Sequence, residues 1–133
     1  MIGLDTDVLV RFLVRDDQRQ FERARRLLEQ AVERRAPMLI SLPVLLETEW
    51  VLRNRYALPK EEIARAISAL LDSAEVRFED EPAVEQALYA WRDSAAEFSD
   101  CVIDAHHRTL GVQAALPFDS RPPRIATFAV RAT

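Results

Sequence analysis

The sequence predicts an α/β fold: a central, mostly parallel, twisted sheet of four to five strands flanked by helices on both faces. Three observations carry this. Short apolar runs alternate with helical patterns along the chain, the order that builds a parallel sheet. Prolines punctuate that pattern: Pro37 ends one helix, while Pro43, Pro59 and Pro82 suit the first turns of others. At 133 residues, with 49% apolar and 30% charged, the chain makes one domain, spanning 1–133, and is too short for two.

Residues 1–5 (MIGLD) read as a short buried strand. A helix follows, from Thr6 as N-cap through Val14, with Val8, Leu9, Phe12 and Leu13 on one face. Asp16 and Asp17 open a second, longer helix reaching Arg35, in which Phe21, Ala24, Leu27, Leu28, Ala31 and Val32 form one buried stripe. Residues 38–41 are a second strand, and a third helix runs over 43–56. The fourth helix starts at Pro59 and turns Ile63, Ala66, Ile67, Leu70 and Leu71 inward. Residues 76–78 give a third strand, and Pro82 starts a fifth helix ending near Ser94. Ser99 caps a sixth helix, stopped by Gly111. Residues 112–118 and 125–130 supply the remaining strands.

Composition excludes several functions. The chain has two glycines, Gly3 and Gly111, whereas a phosphate-cradling loop needs two or three within a few residues. Nucleotide-driven and NAD-dependent chemistry are thereby ruled out. The single cysteine, Cys101, forms neither an internal disulfide nor a multi-cysteine metal site and reads as a small buried residue. A net charge of −4 argues against a protein that coats nucleic acid. Every basic residue is Arg except Lys60. No run approaches the roughly 18 apolar residues of a membrane span. The start carries Asp5 where a signal peptide wants positive charge, so a cytoplasmic protein is expected.

Four acids do not fit an exposed polar face. Asp5 and Asp119 each end an apolar strand, Glu47 stands among Val44, Leu45, Leu46, Val51 and Leu52, and Asp100 lies among Phe98, Cys101, Val102 and Ile103. An ionised carboxylate in apolar surroundings is costly unless it is paired or binds a metal. Strand direction puts Asp5 and Asp119 at one sheet edge, where open α/β sheets bind ligands. Oxygen donors without thiolate suit Mg²⁺ or Mn²⁺. His106 and His107 are adjacent on a helix, about 100° apart, and cannot hold one metal together.

These residues sit in segments that resemble a known family. LDTDVLVRFL, LPVLLETEWVLR, EFSDCVIDA and ALPFD resemble, in that order, the motifs of PIN-domain nucleases, most closely the VapC-type toxins of bacterial toxin–antitoxin pairs. The resemblance covers residues 2–119. It implies that Asp5, Glu47, Asp100 and Asp119 hold Mg²⁺ or Mn²⁺, with Glu97 an outer member of the cluster. It implies endonucleolytic cleavage of RNA, in which metal ions activate a water and stabilise the leaving oxygen. It also implies a homodimer silenced by a small antitoxin that places Arg or Lys among the acids. Val8, Phe12, Leu45, Trp50 and Leu52 offer apolar surface for sharing between subunits. Two departures stand out: Asp7 occupies a position where the family favours Asn, and SRPPRIATFAV is unlike the usual continuation. Asp104, one turn after Asp100, faces either the site or the polar surface.

Two other readings compete. A non-catalytic module that keeps the PIN fold would bind without cutting, and divalent-metal binding separates the two. Asp5-Thr6-Asp7 at a strand end also imitates the nucleophile pair of a haloacid-dehalogenase-like phosphatase. That mechanism wants a basic partner, and Lys60 stands outside its motif order.

Overall fold

The structure is a computed structural model and describes residues 1–112. Its elements are β1 (Ile2–Gly3), α1 (Thr6–Val14), α2 (Gln18–Glu33), β2 (Met38–Ile40), α3 (Leu42–Asn54), α4 (Lys60–Leu71), β3 (Val76–Phe78), α5 (Glu81–Arg92) and α6 (Phe98–Thr109). The order is the expected strand followed by a helix pair, three times over. Apart from Val112, the further strands expected over 112–118 and 125–130 lie outside the described residues, so three of the four to five expected strands are seen. By internal contacts the chain forms two compact units, Met1–Glu79 and Asp80–Thr133.

In the first unit the strands pair in parallel in the order β1-β2-β3. Ile2 pairs with Met38 and Gly3 with Leu39, and Met38, Leu39 and Ile40 pair with Val76, Arg77 and Phe78. Parallel neighbours need a long crossover, which each helix pair supplies. β2 is paired on both sides and buries Met38 and Ile40, as a central strand does. β1 differs from expectation. It is two exposed residues rather than a buried strand of five, because it pairs only with β2 among the described residues.

Side-chain caps set the helix starts. Asp5, not Thr6, is the N-cap of α1, its carboxylate accepting from the Val8 amide at 2.9 Å. Asp17 caps α2 by accepting from the Arg19 and Gln20 amides, and Ser41 caps α3 through Val44. Each satisfies a first-turn N–H that has no partner inside the helix. α2 corrects a second expectation. Ala24 and Ala31 are buried, but Leu27 is 54% and Val32 45% exposed. Periodicity selected the right face of the helix, yet the large side chains on it are only partly covered. Leu45 and Leu52, expected as surface to share between subunits, are each buried; Trp50 alone of that helix's set stays exposed.

The second unit holds α5 and α6. Trp91 near the end of α5 packs on Phe98 at the start of α6, ring centroids 4.8 Å apart. Asp80, before α5, hydrogen-bonds His106 and Thr109 near the end of α6. The helices are therefore antiparallel. Val84, Phe98, Cys101 and Val102 are almost fully buried, and Cys101 is the small buried residue expected. The N-cap position of α6 is Glu97 rather than Ser99, which leaves Asp100 in the first turn as anticipated. Gly111 ends the helix at φ +83°. The Gly111 amide donates to the Arg108 carbonyl and the Val112 amide to that of His107, the pairing of a glycine-terminated helix.

Candidate active site of the first unit and the acids of the second

The chain leaves β1 with the Leu4 amide still bound to the Leu39 carbonyl at 2.9 Å. Asp5 thus stands just past the carboxyl end of β1, where ligands of open α/β sheets bind. One of its oxygens is engaged by the Val8 amide; the other accepts from no described residue. Asp5 is exposed.

α1 packs against α3, and between them opens a cavity of about 320 Å³ lined by residues that include Asp7, Arg11, Glu47, Trp50, Arg55 and Tyr56. Glu47 is exposed rather than crowded by its apolar sequence neighbours, because Leu45 and Leu52 turn the other way, into the core. Arg11 is held from two sides. Its Nη1 donates to the Tyr56 hydroxyl at 3.1 Å, and its Nε lies 3.5 Å from Asp7. A second, larger groove of about 820 Å³ is mostly apolar, with Phe12, Leu13, Phe21, Leu28, Val32 and Leu70 among its lining residues. This is where the apolar stripe of α2 goes.

The buried acid of α3 is Glu49, 4% exposed, and sequence reasoning passed over it. Its carboxylate accepts from Arg53 Nε at 2.7 Å and Nη2 at 3.3 Å. In the second unit the buried acid is Asp104, 2% exposed, with Arg108 at 3.1 Å. That rules out the polar-surface reading of Asp104. Both acids precede an Arg by four residues, the spacing at which helical side chains meet; that spacing was the available signal. Asp100 is half-buried and Glu97 exposed. Asp119 lies outside the described residues.

Asp7 and Glu47 therefore share a cavity, Asp5 stands two residues before Asp7, and Asp100 belongs to the second unit. Among the described residues, no three His, Cys, Asp or Glu side chains gather as a metal-binding cluster. The oxygen donors that line the cavity, on Asp7, Glu47 and Tyr56, share it with the guanidiniums of Arg11 and Arg55; carboxylate and hydroxyl oxygens suit a hard cation rather than zinc. His106 is engaged by Asp80 at 2.5 Å. No helix of the described residues is long and apolar enough to cross a membrane.

Comparison with known proteins agrees with the motif reading. A PIN domain family model matches residues 2–127. No curated protein matches the chain. Among solved structures, the chain is similar to VapC20 of Mycobacterium tuberculosis, described as a sarcin–ricin-loop-cleaving toxin. The two are 27% identical over 90% of this chain and 91% of that one, with a TM-score of 0.45. With nearly its whole length matched by that family model, the chain belongs to the PIN-domain family.

Proposed function

We propose that this chain is an endoribonuclease that hydrolyses RNA phosphodiester bonds with Mg²⁺ or Mn²⁺ held by Asp5, Glu47, Asp100 and Asp119, residues 1–133 acting as one nuclease domain. The observation that carries the reading is the family match over residues 2–127, which contain all four acids. The position of Asp5 beyond β1 and the opening of Glu47 onto a cavity support it. When bound, the metal supplies a water of lowered pKa and neutralises charge on the leaving oxygen.

The chain's own part is to hold the acids. The Val8 amide fixes the Asp5 carboxylate. Leu45 and Leu52 anchor α3 so that Glu47 stays outside the core. Asp100 occupies the first turn of α6, where the helix end favours negative charge. No side-chain nucleophile is required.

The resemblance to VapC-type toxins extends the proposal. In the cytoplasm the chain acts as a homodimeric toxin, silenced by a small antitoxin that sets Arg or Lys among the acids. The apolar groove lined by α2 side chains gives such a partner surface to bury. Sedimentation at micromolar concentration is expected to give twice the 15.2 kDa chain mass.

The deciding experiment incubates the protein with a mixed RNA pool and Mg²⁺ or Mn²⁺, with and without EDTA, beside Asp100→Asn. Internal cuts are expected only from the parent with metal. Intact RNA throughout, or cleavage that survives both EDTA and the substitution, overturns the assignment.

A further inference from the structure

The cavity between α1 and α3 contains more than acids. Arg55, at the C-terminal end of α3, lines it with an exposed side chain that makes no hydrogen bond or ion pair among the described residues. Arg11 lines it too, steered by the Tyr56 hydroxyl at 3.1 Å. Trp50 lines it and is 51% exposed, although it is one of the largest apolar side chains in the chain. The planar fork of a guanidinium suits phosphate. An exposed aromatic face beside such cations is how proteins hold single-stranded RNA, by stacking a base and pairing the backbone. The volume, about 320 Å³, sits near the low end of small-ligand sites, about 300–1,000 Å³; it has room for one nucleotide rather than a helical duplex.

We propose that this cavity is a nucleotide subsite for single-stranded RNA: Trp50 stacks a base, Arg55 pairs with the adjoining phosphate, and Tyr56 positions Arg11 for the same strand. The proposal rests on the ribonuclease reading and deepens it by naming which residues of this chain grip the substrate. Stacking, rather than charge, favours it over an acidic protein partner. Asp7 and Glu47 balance the two arginines in the free cavity, so the pocket gains little from a carboxylate-rich surface, whereas stacking adds affinity independent of charge.

The test uses the full-length protein in EDTA and a dye-labelled single-stranded RNA hexamer, read by anisotropy across a salt series. Trp50→Ala is expected to weaken binding about five- to 150-fold, the range that about 1–3 kcal/mol per stacked base corresponds to, while Trp50→Phe restores most of it. Arg55→Gln is expected to weaken binding and flatten the slope of log affinity against log salt by about 0.7, one phosphate contact on a single strand. Both positions are exposed, and circular dichroism checks each fold. Parental affinity and slope in both variants overturn the subsite. So does a polyglutamate peptide that displaces the RNA, or loss of self-association in Trp50→Ala with RNA affinity unchanged, which would assign Trp50 to a contact between copies. Cleavage of the RNA pool by the parent is measured separately, so the ribonuclease reading survives if only the subsite fails.

Discussion

His106 Nδ1 lies 2.5 Å from Asp80 Oδ2, tying the end of α6 to the turn that begins α5. Thr109 donates to the same oxygen, and the Ala83 amide donates to the other at 3.4 Å. These bonds hold Asp80 in a left-handed conformation, φ 54°, which Asp and Asn tolerate better than most residues. Burial opposes the charge on Asp80. The hydrogen bonds from Thr109, His106 and Ala83, with the charge of His106, outweigh it and hold the carboxyl below its usual value of 3.8.

A depressed carboxylate stabilises the fold above its unfolded pKa, and that contribution disappears as pH falls through the folded value. Asp80→Asn keeps the backbone preference and removes the charge. It is expected to cost about 1.5–3 kcal/mol at neutral pH, the range for hydrogen bonds to charged groups, with the gap closing below about pH 4. Urea melts of both proteins at pH 7 and pH 3 check this. A gap that does not change with pH would show that the charge contributes nothing.

Asp5→Asn and Asp100→Asn are each expected to abolish RNA cleavage and leave the fold intact. For Asp5 the structure gives a reason for the second half: Asn caps a helix about as well as Asp, so the bond to Val8 survives. Asp5→Ala should lose the cap as well, lowering stability by about 1 kcal/mol. Thermal melts separate the two variants, and cleavage at the parental rate in either Asn variant would misplace the chemistry.

Under the proposed ligand set, Mn²⁺ or Mg²⁺ should raise the melting temperature, because a metal held jointly by Asp5, Glu47, Asp100 and Asp119 binds the folded chain and not the unfolded one. At about 100 times the dissociation constant the gain is roughly 2.7 kcal/mol. Calorimetry with and without millimolar Mn²⁺ reads it. No shift counts against the proposed metal ligands.

Glu49 gives a contrasting prediction. Its carboxylate is buried and its partner Arg53 is 43% exposed, so solvent weakens the pair but cannot replace it. Arg53→Met should destabilise by about 1–3 kcal/mol while RNA cleavage below the melting temperature continues at the parental rate. A large loss of cleavage with unchanged stability would move Glu49 into the site.

The sequence by itself determined the order of elements and most of their ends. Those follow from local periodicity, prolines and capping acids. Val76–Phe78 matches the expected strand, and the acid of the first α6 turn is where the pattern put it. Tertiary structure decided which faces are covered. α3 is apolar around much of its circumference, with Val44, Leu45, Leu46, Val51 and Leu52, so its period does not select a side. Only packing exposed Glu47 and buried Glu49. The stripe of α2 was legible, but its burial depended on neighbours that leave Leu27 and Val32 exposed. The contact of Arg11 with Tyr56 spans 45 residues. It exists because α1 packs on α3, and no local pattern could reveal it.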